Sequence, residues 1–207
     1  DHYTTAGDLA KIARHAMTIP KFREIVGKSE YLMPATNKHE SWPVLYTTNK
    51  FLKRRQDESY RVNGIKTGFT VPAGYNLVSS ATNDDGMELI AVVMGVHSPG
   101  GNNNIYKYSE QMLDYGFNNF SLQTLVEQNG TARAGVPVSE AKNGESVDLI
   151  YESEIKCVLP VDKNDWNIGR EEHIKSDITA PVNKGDVLGY VEYIRDGKSL
   201  GRTNIIA

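Results

Sequence analysis

The triplet Lys66-Thr67-Gly68, inside the run from Gly64 to Thr70, carries the side chains of this sequence that are best suited to chemistry. On a strand, the lysine cation and the threonine hydroxyl can both donate hydrogen bonds to a carboxylate, and the glycine lets a ligand approach the backbone. The backbone N–H of Phe69 is the best candidate donor for a developing oxyanion. The triplet therefore predicts a site for an acyl compound that ends in a carboxylate.

Taken alone, the triplet is also compatible with a surface Lys-Thr-Gly turn after a strand. Three common residues do not distinguish the two interpretations. The elements around them have to do so.

Helical spacing and turn residues predict the elements that precede the triplet. Thr5 is a suitable N-cap for a short amphipathic helix that ends at Pro20, and apolar residues before Gly27 suggest one more turn. Asn63-Gly64 predicts a turn that leads into the strand carrying the triplet.

A hairpin is predicted after the triplet, with strands over residues 75–81 and 87–96 and a turn at 83–86. Its second strand is apolar on both faces, which is typical of a central strand. Turn-forming residues then break the pattern until a helix begins at Ile105. We expect this helix to end at Gly116, because glycine commonly terminates helices.

After Phe120 the sequence changes to short runs rich in Val, Ile and Thr, separated by Asn-Gly and Asp-Gly turns. This pattern is typical of an all-β domain. Residues 187–194 and 200–206, separated by Asp196-Gly197, predict a terminal hairpin. The predicted organisation is thus an α+β domain in residues 1–119 and a small, sandwich-like all-β domain in residues 120–207.

Composition excludes several classes of function. A net charge of −3 over 207 residues gives no basic excess for nucleic acid. Five scattered His residues and the single Cys157 do not form a metal-binding pattern, and Cys157 is expected to be a small buried hydrophobe. No run approaches the roughly 18 apolar residues needed to span a membrane. We expect no metal or organic cofactor.

Several motifs occur in one order around the triplet. They are His2-Tyr3-Thr4-Thr5-Ala6 before Asp8-Leu9-Ala10, Thr48-Asn49-Lys50-Phe51-Leu52, Gly64 to Thr70, Ala73-Gly74-Tyr75, Leu89 to Gly95 and Leu113-Asp114-Tyr115-Gly116-Phe117. Together they resemble the D-alanyl-D-alanine carboxypeptidases, the low-molecular-mass, serine-type penicillin-binding proteins. The resemblance covers residues 1 to about 118, and residues 120–207 are similar, less specifically, to the C-terminal β domain of that family.

The resemblance implies the C-terminal part of a transpeptidase/β-lactamase-like catalytic domain, an antiparallel sheet with flanking helices. In this family a Ser nucleophile attacks the bond between two D-alanines of a peptidoglycan stem peptide, and β-lactams trap the same Ser. Lys66, Thr67 and Gly68 would then be the third catalytic motif. Lys66, Thr67, Phe69 and Asn49 would bind substrate, with capping of a turn or helix start as the alternative for Asn49. The family works outside the cytoplasm.

The sequence departs from the family pattern at three places. Nothing before Lys66 spells the Ser-x-x-Lys or Ser-x-Asn motif. Ser139-Glu140-Ala141-Lys142 and Ser153-Glu154-Ile155-Lys156 do match Ser-x-x-Lys, but they fall in the predicted β domain, whereas the chemistry needs both residues one turn apart on a helix. The segment from Gly101 to Lys107, where the family often has an Arg, contains Ile105 and Lys107 but no Arg.

We therefore expect a C-terminal portion of a carboxypeptidase, which is inactive without the N-terminal segment of the same protein that carries the nucleophile. The alternative is a protein with the same scaffold that has no catalytic activity and binds peptidoglycan or a partner. A β-lactamase is a third possibility. The mass and N-terminal sequence of the gene product as made in its host would separate the first two.

Overall fold

The computed structural model describes residues 3–53 and 59–207. The chain divides into two compact units, Asp1–Asn118 and Asn119–Ala207. The first unit mixes helices with an antiparallel sheet, and the second is built from strands. The predicted α+β fold class is confirmed. Among the described residues, no helix is long and apolar enough to cross a membrane.

The described residues of the first unit form three helices, five strands and a 3₁₀ turn, and the elements that the sequence predicts occur among them in the predicted order. They are α1 (Ala6–Ala16), α2 (Pro20–Val26), β1 (Glu30–Tyr31), β2 (Leu45–Tyr46), a 3₁₀ turn (Lys50–Lys53), β3 (Tyr60–Thr70), β4 (Gly74–Asn83), β5 (Glu88–Val96) and α3 (Gly101–Asn119). Thr5 caps α1, because its hydroxyl oxygen accepts a hydrogen bond from the Asp8 N–H at 3.1 Å. α2 begins with Pro20, whose fixed φ and missing N–H suit a first helical position.

The main sheet of the first unit has the order β3-β4-β5, and its strands are antiparallel. The predicted hairpin is confirmed, but the prediction that its second strand is central is wrong. Among the described residues β4 is central, and β5 pairs with β4 alone. β5 is apolar on both faces because helices cover both: Ala91 packs with Ile105 and Leu113 of α3, and Ile90 packs with Met17 of α1.

The predicted limits of α3 are also wrong, since the helix begins at Gly101 rather than Ile105 and continues through Gly116. A Cβ at Gly116 would overlap Leu89 Cδ1, so this glycine allows the helix to pack closely on β5. Gly116 is therefore required by packing against Leu89 and does not end the helix. At the other end, the Gly101 N–H donates to the Ser98 carbonyl at 2.9 Å, which starts the helix four residues early.

Asn63-Gly64 does not form the predicted turn but lies inside β3. The register shifts between Val62 and Gly64, so Asn63 is an extra, bulged residue. A Cβ at Gly64 would lie 2.9 Å from Val26 Cγ2, and glycine is therefore required where β3 passes under α2. The bulge turns the Asn63 side chain towards Thr82, whose Oγ1 accepts a hydrogen bond from it at 2.6 Å.

The second unit contains seven strands in two antiparallel sheets, of order β10-β11-β12-β8-β7 and β6-β9 among the described residues. The strands are β6 (Phe120–Val126), β7 (Thr131–Pro137), β8 (Ser146–Tyr151), β9 (Ile155–Pro160), β10 (Ile168–Ile174), β11 (Val187–Arg195) and β12 (Lys198–Ile206). Val126 and Ile155 of the smaller sheet share a core with Leu149, Val191 and Ile205 of the larger one. Two sheets around one core make the sandwich-like arrangement that the sequence predicts.

The terminal hairpin is confirmed as β11 and β12. Asp196 and Gly197 connect the strands with φ angles of +50° and +72°. Two positive φ values in a two-residue loop match the right-handed twist of paired strands, and Asp-Gly adopts them readily.

A partly buried ion pair joins α2 to the sheet of the first unit. Arg23 donates two hydrogen bonds to the Glu88 carboxylate, at 3.0 and 2.6 Å, while Ser80 and Asn63 donate to Glu88 Oε1 at 2.5 and 3.3 Å. Burial raises the pKa of Glu88, but the hydrogen bonds from Arg23, Ser80 and Asn63 outweigh it, so the pKa lies below its ordinary value of 4.5. Deprotonated Glu88 therefore stabilises the fold.

We expect acid to weaken the first unit through Glu88. Because its pKa is lowered on folding, the stabilisation is present above the ordinary pKa of 4.5 and is lost as the pH falls through the lower, folded value. Glu88→Gln should flatten this acid loss, and Arg23→Gln should shrink it, since it removes the partner that lowers the pKa of Glu88 most. Hydrogen exchange of the β4 amides between pH 3 and pH 7 measures it. Identical pH profiles for all three proteins would contradict the account.

Candidate functional site

Lys66, Thr67 and Gly68 lie in the middle of β3. Their partners on β4 are Val78, Leu77 and Asn76. Among the described residues β4 is the only strand paired with β3, so the other edge of β3 is open along the triplet. An open edge presents backbone N–H and C=O groups that a ligand can use. The triplet is therefore strand-borne, as the first interpretation requires, and not a turn after a strand.

A groove of about 490 Å³ runs along this part of β3. Four of the residues proposed from the sequence, Lys66, Thr67, Gly68 and Phe69, line it together. The remaining lining residues are Thr48, Lys50, Tyr75, Asn102 and Ile105. The groove thus lies between the open edge of β3, the loop before the 3₁₀ turn and the first turns of α3.

Three polar side chains meet at the groove. The Thr48 and Thr67 hydroxyl oxygens are 2.7 Å apart and share one hydrogen bond. The Lys66 ammonium donates to Thr48 Oγ1 at 3.5 Å and to the Thr67 carbonyl at 2.6 Å. These contacts hold the lysine head group beside the two hydroxyl groups. A cation and two hydroxyls in one place form a set of donors for an anion.

The charges of the groove favour an anionic ligand. Lys50 and Lys66 both line it, and no carboxylate is among its lining residues in the described part of the chain. Both lysines are exposed to solvent. Phe69, Tyr75 and Ile105 add apolar surface to the wall, and Ile105 is 1% exposed. The arrangement suits a small acyl compound whose carboxylate meets the lysines.

Asn49 is the one proposed site residue that the structure does not bring to the groove. It is 0% exposed, and its Oδ1 accepts a hydrogen bond from the Phe51 N–H at 3.1 Å. The side chain therefore caps the 3₁₀ turn that follows it, which is the structural alternative considered for this residue. Asn49 supports the loop that carries Thr48 and Lys50.

An aromatic pair forms one wall of the groove. The rings of Phe69 and Tyr75 have centroids 4.3 Å apart, and Phe69 is 55% exposed. Tyr75 packs directly over the start of α3, because a Cβ at Gly101 would lie 2.6 Å from its Cδ2. The close contact between Tyr75 and Gly101 therefore fixes this wall, while the exposed Phe69 ring can contact a ligand.

Sequence reasoning missed Thr48, Lys50, Tyr75, Asn102 and Ile105 as lining residues. Thr48, Lys50 and Tyr75 lie inside motifs that carried the family resemblance, and that position was the available signal. Asn102 lies in a segment whose residue types predict a turn, because the first residues of α3 show no helical spacing of apolar side chains. Ile105 was noticed as a departure from an expected Arg, and the structure places it in the groove.

The two later Ser-x-x-Lys matches do not form a catalytic pair on a helix. Lys142 begins a short 3₁₀ turn, and Asn143 within it has a φ of +61°. Ser153 precedes β9, and its hydroxyl is 2.8 Å from Thr203 Oγ1. Both matches lie in the second unit. Among the described residues, no three metal-ligating side chains come together either.

Family models match both parts of the chain. Residues 1–98 match the model described as D-alanyl-D-alanine carboxypeptidase. Residues 120–207 match the model described as penicillin-binding protein 5, C-terminal domain. All lining residues except Asn102 and Ile105 fall inside the first match.

Curated relatives agree with these matches. The chain is 31% identical over 210 residues to a D-alanyl-D-alanine carboxypeptidase of Haemophilus influenzae, covering 99% of this chain and 49% of the relative. It is 30% identical over 207 residues to one of Bacillus subtilis, covering 100% of this chain and 50% of the relative. The chain therefore spans about half the length of the curated relatives it matches.

A solved structure shows the same likeness. Penicillin binding protein 5 from Haemophilus influenzae aligns with a TM-score of 0.62 and 29% identity, covering 99% of this chain and 56% of that one. Both units of this chain therefore have counterparts in that protein.

We expect two glycines at the groove to respond differently to alanine. In Gly101→Ala the new methyl group would lie 2.6 Å from Tyr75 Cδ2 and 3.1 Å from the Val96 carbonyl. Overpacking of this kind costs about 1–3 kcal/mol. Gly68→Ala meets nothing within 4 Å, so we expect a change within about 0.5 kcal/mol. Hydrogen exchange of the β4 amides measures both, and equal destabilisation by the two substitutions would refute this account of the wall.

Proposed function

We propose, because this chain belongs to the D-alanyl-D-alanine carboxypeptidase family, that the whole protein removes the terminal D-alanine from peptidoglycan stem peptides. The observation that carries this proposal is the donor set at the open edge of β3. Lys66 and two threonine hydroxyls meet there within hydrogen-bond distance. A peptide ending in D-alanine presents the carboxylate that such a set would hold.

In the proposed complex the substrate peptide lies along β3. The Thr67 hydroxyl and the Lys66 ammonium hold its terminal carboxylate, and Gly68 allows close approach of the backbones. The Phe69 N–H is the donor for the oxyanion that forms at the scissile carbonyl. Lys50 adds positive charge to the same groove. Holding the carboxylate fixes the distance from the chain end to the bond that is cleaved.

The reaction also needs a nucleophile and an adjacent base, and no Ser-x-x-Lys precedes Lys66 in this sequence. We propose that a Ser outside these 207 residues attacks the carbonyl between the two D-alanines, giving an acyl-enzyme and free D-alanine. Water then hydrolyses the acyl-enzyme. This chain supplies substrate-binding and oxyanion-stabilising groups, and on its own it should not become acylated. β-Lactams would acylate the same Ser.

The proposed substrate sets the place of action. Peptidoglycan lies outside the cytoplasmic membrane, so the protein would act as a secreted or extracytoplasmic hydrolase of the cell wall. The serine mechanism requires neither a metal nor an organic cofactor.

Covalent labelling tests this proposal. The gene product as made in its host should react with a fluorescent penicillin at a Ser that mass spectrometry locates before the sequence described here. Lys66→Met removes the ammonium at nearly the same side-chain volume, and we expect acylation to slow by about 10- to 100-fold, as for loss of a hydrogen bond to a charged group.

Lys107→Met is the matched control, because Lys107 is exposed on α3 and does not line the groove. It should label at the wild-type rate. A gene product from the host that carries no reactive Ser and forms no adduct with penicillin would refute the enzyme proposal. That result would favour a non-catalytic protein that binds peptidoglycan or a partner. Equal slowing of acylation by Lys66→Met and Lys107→Met would show that Lys66 has no specific role in the reaction.

A further inference from the structure

We propose that Thr48 is a positioning residue, whose hydroxyl orients the Thr67 hydroxyl as a donor to the carboxylate of the substrate. The inference rests on the proposed function, since it concerns the same groove. Thr48 lies 19 residues before Thr67 in the sequence, yet the two oxygens are 2.7 Å apart. No motif in the sequence joins them.

The direction of the hydrogen bonds follows from the groups involved. The Lys66 ammonium has only donors, so Thr48 Oγ1 accepts in the contact at 3.5 Å. The Thr48 hydroxyl still has one proton, and the Thr67 hydroxyl has one proton and two lone pairs. Either threonine can donate to the other when no ligand is present.

A bound carboxylate selects one of these two directions. A carboxylate only accepts hydrogen bonds, so the Thr67 proton has to point at it. Thr48 must then donate to Thr67 Oγ1. The result is a chain from the Lys66 ammonium through Thr48 and Thr67 to the carboxylate, in which every bond points the same way. Aligned hydrogen bonds polarise and strengthen one another.

The backbone around Thr48 is held so that this geometry exists before a ligand arrives. The Tyr106 hydroxyl donates to the Thr48 carbonyl at 3.3 Å and accepts from the Lys50 N–H at 3.3 Å. Tyr106 is 1% exposed and belongs to the core beside Phe51. A core residue of α3 therefore fixes the loop, and groups fixed in advance lose less freedom on binding.

Two variants of the gene product separate orientation from packing. Thr48→Val keeps the branched shape and removes the hydroxyl, and Thr48→Ser keeps the hydroxyl. Each is assayed with an acylated peptide ending in D-Ala-D-Ala and with the same peptide as its C-terminal amide. The measured quantity is the ratio of kcat/KM for the acid to kcat/KM for the amide. Because this ratio is taken within one protein, a general loss of folded protein cancels.

We expect the wild-type protein to prefer the acid and Thr48→Val to reduce that preference about tenfold, equivalent to ~1.4 kcal/mol. The loss should come from the acid, with the amide unchanged. Thr48→Ser should keep the preference within about twofold of wild type.

Three results would overturn the inference. An unchanged ratio in Thr48→Val would show that Thr67 needs no partner to orient it. An equal loss in Thr48→Ser would show that the methyl group, and hence packing, is what matters. A wild-type protein that cleaves neither peptide would refute the proposed function itself, and the role of Thr48 with it.

Discussion

The hydrogen bond between Thr48 and Thr67, 2.7 Å long and next to the Lys66 ammonium, is the interaction on which the site depends. It joins the loop that carries Thr48 to the open edge of β3. The shape of the groove therefore depends on both elements being fixed in position. On one side, pairing with β4 fixes Thr67. On the other, the buried Tyr106 hydroxyl fixes the Thr48 backbone. Donor groups held this way are ready for an anion before it arrives.

Much of the remaining fold in the first unit serves to keep β3 and α3 in these places. Gly116 and Gly101 allow α3 to approach the sheet more closely than any larger residue would. The bulge at Asn63 shifts the register of β3 on β4 and sends an amide to the Glu88 carboxylate. Arg23 neutralises that carboxylate and ties α2 to the same sheet. The ion pair and the groove thus depend on one set of strands.

Local signals were sufficient for part of this fold. The Thr5 cap and the Asp196-Gly197 turn each depend on residues that are neighbours in sequence, and both were predicted. Gly116 and Asn63-Gly64 were misinterpreted, because a glycine required by a distant side chain looks the same in sequence as one required by a turn. Lys66 to Phe69 could be proposed from their types and spacing. Thr48 could not, since no sequence pattern gives the distance between two hydroxyl groups.

The central claim is that these hydroxyl groups and the lysine receive a carboxylate. A crystal structure of the gene product, acylated by a penicillin or bound to a peptide ending in D-alanine, tests it most directly. The account predicts a carboxylate oxygen about 2.7–3.2 Å from Thr67 Oγ1, with Thr48 Oγ1 still bonded to Thr67 and Lys66 Nζ beside them. A ligand whose carboxylate lies away from β3, with Thr67 bonded to Thr48 alone, would contradict it.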